Sequence, residues 1–109
     1  MKGKIVLVPF PFTDLTAAKL RPALVLFEGD RDVVVAFISS RLPERPSPGS
    51  VIVSDGHRGF QLTGLKVSSV VRLDKVATVL KDLVVGEIGE VSEALKREIN
   101  RKLVETYSL

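Results

Sequence analysis

The chain has 109 residues, 45% of them hydrophobic and 27% charged, with 16 Lys and Arg against 13 Asp and Glu for a net charge of +3. One domain, 1–109, of this composition can bury a core, which excludes intrinsic disorder, and no apolar run approaches the ~18 residues of a membrane span. The absence of cysteine excludes disulfides, a thiol nucleophile and Cys-ligated metal, and the single histidine, His57, leaves no His-rich metal site and argues against a Ser/His triad.

The first residues, Met1 to Lys4, lead into a short Val/Leu segment broken by Pro9 and Pro11 rather than into a signal-peptide core, so a soluble, cytoplasmic protein without a membrane partner is expected. The +3 is mild and spread evenly: residues 1–55 carry 7 basic and 6 acidic side chains, residues 56–109 carry 9 and 7. Charge alone therefore assigns no nucleic-acid partner; a basic patch would, and that requires a fold.

Valine and isoleucine number 22 and occur in short runs separated by Gly, Pro, Asp and Ser, the pattern of a strand-rich fold. The first strand is predicted at Lys4–Phe10, followed by a loop through Pro11, Asp14 and Thr16. The second spans residues 22–27 and is closed by the turn at Glu28, Gly29 and Asp30. The third spans residues 32–40 and is apolar on both faces, so both should be covered. Residues 41–50 hold three prolines and read as a surface loop. Residues 51–53 form a short fourth strand and residues 54–64 a loop. A long fifth strand follows at 68–79 and a sixth at 87–91. The tail differs in kind: Leu95, Ile99 and Leu103 recur every four residues among charges, predicting an amphipathic helix over Glu93–Tyr107 with Ser92 as N-cap and Glu93 favourable to the dipole. Six strands and one helix read as a mainly β fold, a small antiparallel barrel or half-barrel with a helix packed on it. Such barrels host unrelated functions.

Chemistry without Cys or His clusters must use Arg, Lys, Asp, Glu, Ser or Thr. Arg21 precedes Pro22, which restricts it to extended conformations and places its guanidinium at a strand mouth. It is either a solvated arginine or a planar fork for a phosphate. Ser39 and Ser40 close the third strand, as a local cap or as donors to a phosphate oxygen. Arg72 and Asp74, two apart in a strand, should share a face about 6.5–7 Å apart with Leu73 inward. They form an exposed ion pair or an acid/base pair in a groove. His57 is expected to be exposed and silent in its loop. No Gly-rich nucleotide-binding motif is present.

Four blocks, residues 6–14 (VLVPFPFTD), 19–26 (KLRPALVL), 36–40 (AFISS), and Gly64-Leu65 leading into 69–75 (SVVRLDK), resemble in order and spacing the MazF/PemK family of toxin endoribonucleases from bacterial toxin-antitoxin modules. No block is specific alone, and together they span essentially the whole chain. The resemblance implies an SH3-like (CcdB/PemK-type) antiparallel barrel with a C-terminal α-helix, and a homodimer. It implies cleavage of single-stranded RNA without metal or other cofactor, inhibition by a cognate antitoxin, and contact with operator DNA only through that antitoxin. Arg21 matches the family's Arg-Pro motif, Ser39 falls where many members have a catalytic threonine, and Arg72 and Asp74 match an Arg-x-Asp acid and base. Lys19, Ser40 and Arg41 are their expected RNA-binding neighbours. Ser39 stands where threonine is commoner, and the first loop lacks a histidine that one PemK-type site has, so the site is assigned ahead of individual roles.

Independently of the resemblance, RNA brings its own nucleophile in the 2′-OH. A ribonuclease then needs a proton acceptor, a proton donor and positive charge on the phosphorane. Asp74 would take the 2′-OH proton, Arg21 hold the phosphate, Ser39 donate to a phosphate oxygen, and Arg72 stand near the leaving 5′-oxygen as acid or as charge stabiliser. The rival readings are a non-catalytic binder on the same barrel, of gyrase-poison or RNA-binding type, and an inactive family member. The two-faced third strand further predicts that some of Val34, Ala36, Ile38 and the other outward residues are buried against a second copy, with loops 13–20 and 41–50 flanking a shared groove.

Overall fold

The computed structural model describes residues 1–10 and 19–109. Strands β1 (Lys4–Phe10), β2 (Lys19–Glu28), β3 (Asp32–Ser39), β4 (Ser50–Val53), β5 (Ser69–Leu80) and β6 (Gly86–Glu90) precede one helix, α1 (Glu93–Tyr107). They form one antiparallel sheet in the order β4-β5-β3-β2-β1-β6. The fold is mainly β, a curled half-barrel with a C-terminal helix. The expected loop through Pro11, Asp14 and Thr16, the end of the first motif block, and most of loop 13–20 lie outside the described residues.

Every predicted element is present, and β1 and α1 have the predicted bounds. The main shift is in β2, which starts at Lys19 instead of 22, so Arg21 lies inside the strand opposite Val8 rather than at its mouth. Pro22 does not stop the strand because β3 pairs with β2 only from Ala23 onward. Pro9 lies in β1 beyond Leu7, the last residue paired to β6. Each proline sits where one side of its strand carries no ladder, which is where a missing N–H is tolerated. Residues 61–63, expected as loop, make a short 3₁₀ turn, Gln61–Thr63.

That turn closes the curl. The β4–β5 connection leaves one edge of the sheet and packs on β6 at the other. A Cβ on Gly89 would overlap the backbone of Leu62 and Thr63, and a Cβ on Gly64, whose φ is +73°, would overlap the Ile88 carbonyl. Both positions require glycine for close backbone approach, and Gly64 also for its left-handed conformation.

Two apolar cores result. On the helix side, Leu95 and Ile99 pack on Ile5, Leu24, Ala36, Ile38, Val71 and Leu73. Ser92 caps α1 by accepting from the Leu95 N–H at 3.2 Å, as predicted. On the opposite, inner face of the sheet, Val6, Val8, Ala23, Val25, Val33, Val35 and Val79 form the second core. Both faces of β3 are thus covered within one chain: Ala36 and Ile38 are buried under the helix, and Val34 is half-buried. Ala36 and Ile38 therefore need no second copy to cover them, while Val34 keeps part of its surface open. No helix among the described residues is long and apolar enough to cross a membrane.

Candidate active site

Alternation along a strand puts residues two apart on one face. The inner core takes Val6 and Val8 from β1, Ala23 and Val25 from β2, and Val33 and Val35 from β3. Each row continues past the dry core to a different kind of residue: Phe10, Arg21, and Phe37 with Ser39. Arg72 joins them because it is the cross-strand partner of Phe37. At this end of the curl the sheet opens into a cavity of about 510 Å³ lined by Phe10, Arg21, Phe37, Ile38, Ser39, Ser40, Arg41, Arg72 and Lys75. The Phe10 and Phe37 rings stand 4.6 Å apart at 43° and form an aromatic wall.

The register of β5 explains Arg72. Val70, Val71 and Arg72 pair with Ser39, Ile38 and Phe37, whereas Val76 onward pairs with Ala36 onward, so residues 73–75 have no partner on β3. This three-residue bulge reverses which face the strand presents: Val71 and Leu73 face the helix-side core, Ala77 and Val79 the inner one. Gly49, at the end of the proline-rich loop, holds the bulge by accepting from the Leu73 N–H at 2.8 Å and the Asp74 N–H at 3.2 Å.

The bulge carries Arg72 and Asp74 at its edge and within it. They are in bidentate contact, Arg72 Nε to Asp74 Oδ1 at 3.0 Å and Nη2 to Oδ2 at 2.9 Å. The Arg72 hydrogen bonds hold the Asp74 carboxyl below the usual carboxylate range, partly opposed by burial, and Asp74 in turn raises the Arg72 guanidinium. Of the two open readings, the ion pair is formed. Leu73 is fully buried, in the helix-side core, in keeping with its predicted orientation away from solvent.

The other expected residues divide. Arg21, Ser39, Ser40, Arg41 and Arg72 come together at the cavity; Lys19 is exposed beside it on β2 opposite Phe10, and Asp74 stands behind Arg72 rather than in the lining. Ser39 Oγ accepts the Arg41 N–H at 3.1 Å, a local turn contact that leaves its hydroxyl proton available to another acceptor. Among the described residues, no carboxylate lines the cavity, and Arg21, Arg41 and Lys75 make no salt bridge. Among the described residues, four cationic side chains therefore face one space, with Asp74 behind them paired to Arg72.

Sequence reasoning missed Phe10, Phe37, Lys75 and Gly49. The two phenylalanines were legible as continuations of the rows 6/8 and 33/35. Lys75 was not, because the bulge breaks the alternation that would place it. His57 is not the exposed loop residue expected: it is largely buried, Nδ1 accepts the Gly59 N–H at 2.9 Å, and Nε2 lies 3.6 Å from Glu98 of α1. It braces the β4–β5 loop against the helix and takes no part in the cavity. Among the described residues, no three His, Asp or Glu side chains gather where they could hold a metal ion.

Against known proteins, the profile of the family described as PemK-like, MazF-like toxin of type II toxin-antitoxin system matches residues 1–107. No curated protein sequence matches the chain. Among solved structures, the Mycobacterium tuberculosis toxin MazF-mt6 is similar with a TM-score of 0.75 and 21% identity over 97% of each chain. An endoribonuclease in complex with its cognate antitoxin, from a mycobacterial species, is similar with a TM-score of 0.74 and 20% identity over 100% of this chain and 95% of that one. At these identities the structural likeness speaks for the fold.

Proposed function

The chain belongs to the PemK-like, MazF-like toxin family of type II toxin-antitoxin systems, and from that premise we propose that it is a metal-independent endoribonuclease acting on single-stranded RNA. One observation carries the reading: Arg21, Arg41, Arg72 and Lys75 converge on a cavity that also holds the Ser39 hydroxyl and an aromatic wall. Cations that no carboxylate among the described lining residues neutralises are suited to a phosphodiester, and aromatic faces suit unstacked bases.

In this reading Arg21 holds the scissile phosphate and Ser39 donates its hydroxyl proton to a non-bridging oxygen. The phosphate competes with Asp74 for Arg72, which frees a carboxylate oxygen to take the 2′-OH proton. The 2′-oxygen attacks phosphorus, the bond to the 5′-oxygen breaks, and that oxygen takes a proton from water. The products are a 2′,3′-cyclic phosphate and a 5′-OH. Arg72 acts by charge: a guanidinium raised further by Asp74 is a poor acid but a good stabiliser of the phosphorane. Lys19, Ser40, Arg41 and Lys75 bind flanking phosphates.

A cognate antitoxin is the proposed inhibitor, supported by the family and by the antitoxin complex of the similar mycobacterial endoribonuclease. Operator DNA is reached only through it, and the cytoplasm is where both meet the chain. A homodimer is part of the proposal. Its support is not the covered β3 but the exposed Phe27, Val76 and Leu80, which share the helix-side face of the sheet with Val34. Sedimentation should give a dimer at micromolar concentration; a monomer that still cleaves removes the dimer and leaves the chemistry.

The closed Arg72–Asp74 pair favours a second reading, RNA binding without cleavage, because both carboxylate oxygens are occupied in the free protein. One experiment separates the two. The purified protein is incubated with mixed-sequence single-stranded RNA in EDTA and the products are weighed by mass spectrometry. Cyclic-phosphate ends, and no cleavage of an all-2′-deoxy strand, support the nuclease. Binding with no cleavage supports the second reading, and loss of cleavage in EDTA overturns the metal-independent mechanism.

A further inference from the structure

The three-residue bulge of β5 must find backbone partners away from β3, because its residues have none there. On the other side of β5, the β4 ladder ends where Ser50 pairs with Arg72, so Leu73 lies just past it. Leu73 is fully buried and water cannot serve its polar groups. Its N–H goes to the Gly49 carbonyl. Its carbonyl accepts a hydrogen bond from the hydroxyl of Tyr107, in the last turn of α1 and the chain's only tyrosine.

We propose that Tyr107 is a positioning residue for the candidate site: its hydroxyl, holding the Leu73 carbonyl from the end of α1, fixes the bulge that aims Arg72 and Lys75 into the cavity and keeps Asp74 behind Arg72. For catalysis the inference rests on the ribonuclease reading; for geometry it rests on the contacts alone. The hydroxyl rather than the ring is the working part. Tyr107 is 51% exposed, so the ring contributes only part of its area to packing while its polar tip reaches a buried acceptor. Without that donor, Leu73 keeps one tie, to Gly49, and a buried carbonyl is left unpaired next to the residue that carries the site's central charge. Small displacements of a phosphate-holding arginine are costly to rate while leaving binding by the other cations in place.

The test compares the full-length parent with Tyr107→Phe, which keeps the ring and removes the donor. Amide hydrogen exchange is followed at Leu73 and Asp74, with Val70 and Val71 in the paired part of the same strand as reference. Single-turnover cleavage is followed over a range of RNA concentrations. Exchange at Leu73 and Asp74 should rise about fivefold or more with Val70 and Val71 unchanged. The cleavage rate at saturating RNA should fall about tenfold, with the half-saturating concentration within about twofold. Unchanged exchange at Leu73 and Asp74, or a uniform rise at all four amides with an unaltered cleavage rate, would overturn the inference and leave Tyr107 a general brace. Exchange is measured without RNA, so it decides the positioning of the bulge even where the parent proves inert on RNA.

Discussion

The inner face of the sheet has a dry end and a wet end built from the same strands. At the dry end Val33, Val35 and Val79 are buried and the β3–β5 ladder runs in unbroken register from Asp32 to Ala36. At the wet end the same β3 row continues as Phe37 and Ser39, the register jumps three residues on β5, and β2 has run past the last residue that β3 pairs. The difference teaches that this site is the core's own alternation carried beyond the point where apolar partners end. Strand rows supply the direction of each side chain, and the incomplete ladder supplies the space. Stability should therefore reside at one end and chemistry at the other.

The sharpest way to break that division is a pair of truncations on the inner face. Arg21→Ala should lower RNA cleavage by about 10²–10³-fold, as removal of a preorganised charge donor does, with the melting temperature little changed. Val35→Ala should do the reverse, costing about 2 kcal/mol in denaturant unfolding with cleavage by the folded fraction intact. Cleavage undiminished in Arg21→Ala would make the Arg-Pro motif structural and remove the wet end as the site.

The Arg72–Asp74 pair sharpens the division next. Asp74→Asn keeps shape and one acceptor but removes the base, so cleavage should fall about 10²-fold with RNA binding retained. Equal loss of both would show that the pair only organises the cavity. Its pH behaviour has a definite sign. Arg72 lowers the folded-state carboxyl below its ordinary 3.8, so the pair's stabilisation is complete above that value and is lost as pH falls through the lowered one. With the side chains 30% and 36% exposed, that stabilisation is at most about 1 kcal/mol. In catalysis Asp74 stays ionised through pH 5–8, so kcat/KM should show no acid limb there. A limb centred near pH 6 would assign the base to another group.

Much of this was legible in the sequence. The two-residue rows, the four-residue helix stripe and the Ser92 cap are local patterns, and each produced an element within a few residues of its place. The candidate residues Arg21, Ser39 and Arg72 were legible from motif blocks, and the cavity they share was not. What escaped depends on register. Nothing local in residues 70–76 marks a three-residue bulge, so Lys75 could not be placed. The cover over Ala36 and Ile38 escaped for a related reason: it comes from Leu95 and Ile99 of α1, and where the predicted helix docks is not a local pattern.

Gly49 joins the two ends of that argument, since it belongs to neither motif yet touches the bulge. A Cβ there would lie 2.8 Å from the Asp74 Cβ, and the displaced neighbour would be the bulge itself. Gly49→Ala should cost about 1 kcal/mol in unfolding and lower cleavage about tenfold, with RNA binding changed less. Full activity in a normally folded Gly49→Ala would mean that the bulge tolerates displacement, which would also weaken the role given to Tyr107.

The smallest expected effect belongs to the dry end. Glu28, at the opposite end of β2 from Arg21, accepts from the Met1 ammonium at 2.6 Å and from Lys81 at 2.9 Å, and these hydrogen bonds lower its carboxyl from 4.5 to about 2. A lowered carboxyl contributes stability that is complete above its ordinary value of 4.5 and is lost as pH falls from there through about 2. Because all three groups are substantially exposed, salt screens most of that contribution. Glu28→Gln should therefore unfold at a slightly lower urea concentration than the parent at pH 7, the gap closing as pH approaches 2 and narrowing in high salt, while RNA cleavage is unchanged. A measurable loss of cleavage in Glu28→Gln would show that the two ends of the inner face communicate, and the separation of stability from chemistry would fail at its weakest link.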